Sequence, residues 1–124
     1  MRALLEAPCL RSAEVVEAMA KDSNQSIDKM VVDGGMTVND LLMQTQADLI
    51  NAKIERKVEK EVTGLGAAIA AGLKVGVWDS VDEIRSKIAV DHVFQPEKPD
   101  EWRAKKRARY SQVLERSMGF GYDE

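Results

Sequence analysis

The feature that most constrains this chain is a pair of glycines between an apolar run and an amphipathic segment. The apolar run at residues 30–32 is bounded by turn-forming residues, which predicts a short buried strand. Gly34 and Gly35 follow it, and apolar residues then recur at helical spacing over residues 37–50. Roughly one side of this predicted helix carries Leu41, Leu42, Thr45, Leu49 and Ile50, and Thr37 or Asn39 can cap its start. Glycines let a backbone bend sharply and approach a ligand, and a helix N-terminus presents unpaired N–H groups to an anion. The residues alone leave two interpretations open, an ordinary strand-to-helix connection and a nucleotide site.

Other segments predict a helix-rich α/β chain. Pro8 fits the first helix only if that helix begins near Pro8 or is kinked there. Ser80 and Glu83 have the spacing of a capping box, and Asp100 is predicted to cap the last helix. Further helices are predicted over residues 4–21, 64–76, 80–89 and 100–118, with a second short strand over residues 53–58 and a loop over residues 94–99. About two short strands make a poor sheet, so the chain has the pattern of part of a larger fold.

Composition excludes several classes of function. The chain has 124 residues with a net charge of −3, one cysteine (Cys9) and one histidine (His92). An internal disulfide is therefore excluded, as are sites that need two histidines, including most zinc centres. A lone thiol fits a reducing compartment. We expect Cys9 to fill a small apolar space in the core and His92 to lie at the surface. No apolar run approaches the length of a membrane span, and no signal peptide is evident.

One basic cluster, Trp102 to Tyr110, departs from this acidic balance. Its sequence WRAKKRARY has five cations flanked by two aromatic residues. A basic helix face can contact nucleic-acid phosphates, but such charge runs are more often solvated. The overall acidity argues against a dedicated nucleic-acid binder.

Two segments carry a resemblance to a known family. DGGMTVNDLLMQTQADL (residues 33–49) resembles the adenine-nucleotide segment in the C-terminal domain of glycerol kinases, which are sugar and polyol kinases of the actin-like ATPase (ribonuclease H-like) fold. EVTGLGAAIAAGLKVGVW (residues 61–78) is similar to the next block of that family. The likeness extends over residues 3–120. It implies that residues 1–124 are an incomplete, nucleotide-binding C-terminal subdomain.

The resemblance also implies a set of binding residues. In the family, the second glycine of the turn and the Asn four positions later contact the nucleotide, which places these roles on Gly35 and Asn39. Gly34 shares the turn. Asn39 offers both a donor and an acceptor, and it is equally able to cap a helix. Asp33 is a turn residue by default, with a water-mediated magnesium contact as the alternative.

Four residues depart from the family's pattern without touching these positions. Gly64 replaces a usual Ala, Lys57 a common Pro and Val113 a usual aromatic residue, while Pro8 lies inside an expected helix.

The resemblance further implies that the catalytic groups lie outside this sequence. In the family, the phosphate-binding hairpin, the polyol pocket and the Asp base precede the matching stretch, so no catalytic and no metal-ligating residue is expected here. ATP with Mg is the cofactor expected of the complete enzyme, and glycerol would bind only there. Met1 falls within or just before a family helix, which argues against a natural start there. The expected function is the nucleotide-binding part of a glycerol kinase, inactive alone. The alternative is a non-catalytic structural subunit derived from such a kinase within a larger assembly.

The expected partners follow from the missing part. They are the N-terminal kinase half or a foreign protein, and the chain is also expected to form oligomers. Neither binding to nucleic acid nor a membrane span is expected. The expected location is the cytoplasm, with the mitochondrion as the alternative.

Overall fold

A computed structural model describes residues 2–59 and 61–119. Phe120, the last residue of the predicted likeness, and Met1, the expected position within or just before a family helix, lie outside the described residues. The helices are α1 (Arg2–Ser23), α2 (Asp40–Ile50), α3 (Val62–Val75), α4 (Val81–Lys87) and α5 (Asp100–Ser117). The strands are β1 (Lys29–Val32), β2 (Lys53–Lys57) and β3 (Val90–Phe94), and a 3₁₀ turn spans Gly35–Val38.

Helix α1 runs through Pro8. The alternative in which it begins near Pro8 is therefore wrong. Proline has no N–H, so the carbonyl of Leu4 loses its usual intrahelical partner. Leu4 is exposed, which leaves that carbonyl close to solvent. The inner face of α1 still buries Cys9, Leu10 and Val16.

The three strands form one small sheet in the order β1-β2-β3. β1 and β2 are parallel, as is usual for two strands joined by a helix, and β2 and β3 are antiparallel. The sequence predicts about two strands, and β3 is the addition. The predicted helix at residues 80–89 ends at Lys87, and Phe94 belongs to a strand and not to the predicted loop. The reason is that Phe94 pairs with Ile54 and is buried in the core.

β1 is an edge strand, and the prediction that it is buried is wrong. Its residues alternate between exposed and half-buried, and Val31 is 51% exposed. Apolar β-branched residues indicate a strand, but they do not say whether another strand covers it. Strand β2 agrees with its prediction of one exposed face, since Ile54 is fully buried while Lys53 is exposed.

The core lies between α1, α2 and β2. Helix α2 contributes the largest share of it, and every residue from Leu42 to Ile50 except Gln44 is buried. Leu49, Ile54 and Cys9 are the largest fully buried side chains. Leu41, predicted on the same apolar side, is instead 50% exposed.

The helix starts differ in part from their predictions. Ser80 accepts a hydrogen bond from the Glu83 N–H at 3.2 Å, as predicted, but the Glu83 carboxylate accepts from Asp79 N–H at 3.0 Å and not from Ser80. The N-cap residue of α5 is Pro99, whose side chain makes no capping hydrogen bond. Asp100 is thus the first helical residue and not the cap, and its carboxylate pairs with Arg103.

Helix α3 lies largely on the surface, and only Gly72 is buried. A Cβ at Gly72 would meet the ring of Trp78 at 2.3 Å, so glycine is required for this ring to pack on the helix. The close approach that Gly72 allows is therefore made by a side chain of the same chain. A Cβ at Gly64 would meet nothing within 4 Å.

Cys9 provides a test of the packing between α1 and α2. Its thiol is 1% exposed and donates to the carbonyls of Leu5 and Leu42 at 3.3 and 3.6 Å. Burial raises the pKa of the Cys9 thiol from 9.0 to about 11.

We expect the free energy of unfolding to fall between about pH 9 and pH 11, because the unfolded chain ionises there while the folded chain holds its proton. Chemical denaturation across this range should show the loss in the wild type and a smaller loss in Cys9→Ala. Equal pH dependence in the two proteins would contradict the burial of the thiol.

Candidate functional site

The site predicted from the sequence is built on the backbone of Gly34. This residue has φ 94° and ψ 170°, a conformation that is open almost only to glycine. A Cβ at Gly34 or at Gly35 would meet nothing within 4 Å. The turn therefore keeps a bare backbone facing open space, which is the condition for close approach of a ligand.

Thr37 closes the turn. Its N–H and its hydroxyl both donate to the Gly34 carbonyl, at 3.1 and 2.7 Å. The Asn39 N–H donates to the Met36 carbonyl at 3.2 Å, which completes the 3₁₀ turn. Thr37 is only 5% exposed, so this closure is sheltered from water.

Asn39 caps α2. Its Oδ1 accepts from the Leu42 N–H at 3.1 Å, so of the two caps that the sequence allows, Asn39 is the one used and Thr37 is not. Within the described part of the chain, Asn39 Nδ2 has no hydrogen-bond partner. The cap thus uses the acceptor of the amide and leaves its two donors for another molecule.

The three predicted residues lie together at one edge of the sheet. β1 and β2 are parallel and adjacent, and the turn follows the carboxyl end of β1. Ligands of α/β proteins bind at such strand ends, where helix N-termini also point. Gly34 and Asn39 are half-buried and Gly35 is exposed, so a ligand can reach all three.

Arg56 is part of the same edge, and nothing in the sequence around it predicts a role at the site. It lies at the end of β2, opposite Val32 in the register. Its Nη1 donates to the Thr37 carbonyl and to Asp40 Oδ1, both at 2.7 Å, and its Nε donates to Asp91 Oδ2 at 2.6 Å. The carboxylates of Asp40 and Asp91, in that order of effect, raise the pKa of Arg56, so it is always charged.

The described residues do not bring a set of metal ligands together. Among residues 2–59 and 61–119, no group of three or more His, Cys, Asp or Glu side chains is placed to hold an ion. Asp33 is a single exposed carboxylate after β1. The donor set therefore does not fit a magnesium site made by these residues alone. A bilayer span is also not found, since none of the described helices has the length and apolar character to cross one.

The basic cluster of α5 is largely committed to contacts within the chain. Arg103 is buried and donates to the carbonyls of Asp48 and Lys98. Lys106 pairs with Glu6 at 2.7 Å and Arg107 pairs with Glu17 at 2.6 Å. These cations join α5 to α1 and α2, which argues against a nucleic-acid surface here.

Known proteins match this geometry. The model of the C-terminal domain of the FGGY family of carbohydrate kinases matches residues 1–75. A glycerol kinase of Agathobacter rectalis is 43% identical over all of this chain, which covers 25% of that protein. The crystal structure of Plasmodium falciparum glycerol kinase with ADP matches 94% of this chain and 24% of that chain, at 40% identity with a TM-score of 0.86. A xylulose kinase from Lactobacillus acidophilus matches with a TM-score of 0.68 at 21% identity, which shows the fold alone.

These matches confirm the resemblance to glycerol kinases and the predicted kinase fold, and the chain spans about a quarter of the length of the relatives it matches. Since the family model covers more than half of the 124 residues and includes the diglycine turn, the chain belongs to the FGGY family of carbohydrate kinases, in the region of that family's C-terminal domain.

Proposed function

We propose that this chain forms one wall of the adenine-nucleotide site of an ATP-dependent glycerol kinase. The observation that carries the proposal is the turn at Gly34 and Gly35, whose bare backbone faces open space at the carboxyl edge of the sheet. Gly35 would let the nucleotide lie against the backbone, and the free amide donors of Asn39 would reach an acceptor on it. Support comes from the similarity to a glycerol kinase whose structure was solved with ADP.

The proposed wall does no chemistry by itself. Phosphoryl transfer to an alcohol needs donors around the transferred phosphoryl group, magnesium, and a carboxylate that orients the attacking hydroxyl. The turn supplies only contacts to the nucleotide. The complete enzyme would therefore provide the remaining groups, and ATP with Mg and glycerol would bind between the two parts. We expect the 124-residue chain alone to have no kinase activity.

The open edge of the sheet supports a protein partner. Beside β1, a groove of about 460 Å³ lies between α1 and the turn, with Val15, Met19 and Met36 among its apolar walls. Exposed apolar surface beside an unpaired strand favours coverage by another chain segment. We propose that the rest of the kinase covers it. The alternative of a structural subunit is not favoured, because the likeness to glycerol kinases runs through the nucleotide turn.

A titration of the ¹⁵N-labelled chain with ADP tests the nucleotide proposal. We expect amide shifts confined to the turn and the start of α2, with an affinity weaker than micromolar, because the other wall is absent. Unchanged spectra at ~10 mM ADP would contradict the nucleotide site, since contacts worth only about 3 kcal/mol would be visible there. Micromolar binding would contradict the view that half of the site is missing.

The same sample tests the partner proposal. Sedimentation should show self-association, or a stable complex when the remaining part of a related glycerol kinase is added. A chain that stays monomeric and does not bind the added part would contradict the partner proposal.

A further inference from the structure

The turn at Gly34 and Gly35 is held from the side of the sheet. Thr37 donates twice to the Gly34 carbonyl, and its own carbonyl accepts from Arg56 at 2.7 Å. Gly34, Thr37 and Arg56 thus form a continuous series of hydrogen bonds from the turn to β2. The Thr37 end of this series is buried, which limits competition from water.

Arg56 is itself fixed on three sides. Asp91 on β3 accepts from its Nε at 2.6 Å, and Asp40 at the start of α2 accepts from its Nη1 at 2.7 Å. The guanidinium carbon lies 5.4 Å from the centre of the Phe94 ring, within cation–π range. The side chain of Arg56 is 13% exposed, although those of Asp40 and Asp91 are 73% and 47% exposed. A rigid planar group with several donors can join these segments, whereas a lysine has a single ammonium.

We propose that Arg56 is a positioning residue for the nucleotide, which it would not touch. This inference rests on the proposed function and adds the residue that sets its geometry. Arg56 fixes the distance between the carboxyl end of β2 and the backbone of the turn through Thr37, and it fixes the first residue of α2 through Asp40. The bare backbone at Gly35 and the amide of Asn39 are then presented in one geometry before the ligand arrives. Preorganisation of this kind raises affinity because fewer turn conformations are lost on binding.

Amide hydrogen exchange without nucleotide tests the positioning directly. In Arg56→Gln we expect the Thr37 and Asn39 amides, which close the turn, to exchange about three- to tenfold faster, the effect of losing a charge-assisted hydrogen bond that is partly open to water. The Leu49 amide, in the middle of the core, should keep its rate. Arg56→Lys should restore part of the protection by keeping the charge.

A matched control is Arg85→Gln, which removes an exposed arginine paired with Asp82 at 3.3 Å. It should leave the turn amides unchanged. Equal exchange at Thr37 and Asn39 in the wild type and Arg56→Gln would overturn the proposal. Faster exchange throughout the chain, including Leu49, would also overturn it, since Arg56 would then serve general stability.

The ADP titration separates this inference from the proposed function. A wild-type chain without any ADP response, but with the exchange pattern above, would refute the nucleotide site and leave Arg56 as the residue that orders the turn. A wild type that responds to ADP, with an equal response in Arg56→Gln, would keep the function and refute the positioning role. We expect the response of Arg56→Gln to need about three- to tenfold more ADP, in parallel with the exchange rates.

Discussion

Replacing Leu49 by alanine is expected to lower the free energy of unfolding by about 3 to 4 kcal/mol. Leu49 is 1% exposed and is one of the largest fully buried side chains. It lies on α2, the helix that the diglycine turn begins, in the core that this helix shares with α1 and β2. Truncation removes apolar contacts and leaves a cavity among packed neighbours, and both effects destabilise the fold. Urea denaturation followed by circular dichroism measures the change.

Leu41→Ala is the matched control, because it makes the same chemical change on the same helix. Leu41 is exposed, so its truncation should cost well under about 1 kcal/mol. Similar losses for the two variants would contradict the orientation of α2, and with it the position of Asn39 at the turn.

The sequence predicts this part of the fold well because its signals are local. All of these signals lie within residues 34–50. They are two glycines that favour a turn, an Asn that can cap a helix, and apolar residues at helical spacing. Gly34 and Asn39 have the roles of turn and cap that their residue types indicate. The exposure of Leu41 was missed since it depends on which neighbours α2 meets, and these lie elsewhere in the chain.

The third strand and Arg56 were missed for one physical reason. Four of the residues 90–94 are exposed, and their strand is made by backbone pairing with β2, in which Phe94 lies opposite Ile54 and His92 opposite Arg56. Arg56 is one charged residue in a half-exposed strand, where a solvated side chain is the usual expectation. Its role comes from Thr37 and Asp91, which are 19 and 35 residues away in sequence. The sequence alone carries no local signal for either contact.

Replacing Gly34 by valine is expected to destabilise the turn by about 3 kcal/mol through the backbone alone. Its φ of 94° is strained for any residue with a side chain, most of all for a β-branched one. The cost arises in the local backbone, because a Cβ at Gly34 would meet no atom of a more distant residue within 4 Å. Chemical denaturation should therefore show the loss even when no nucleotide is present.

Gly35→Val separates strain from nucleotide contact. Gly35 has an ordinary negative φ and equally open surroundings, so its substitution should cost under about 1 kcal/mol in unfolding. The new side chain would occupy the space where the nucleotide is proposed to approach, and we expect the ADP-dependent amide shifts to disappear while the fold persists. A stable Gly35→Val chain that responds to ADP as the wild type does would show that the nucleotide does not lie against this backbone. Destabilisation by Gly35→Val equal to that by Gly34→Val would instead contradict the geometry of the turn, because of these two residues Gly34 alone has a positive φ.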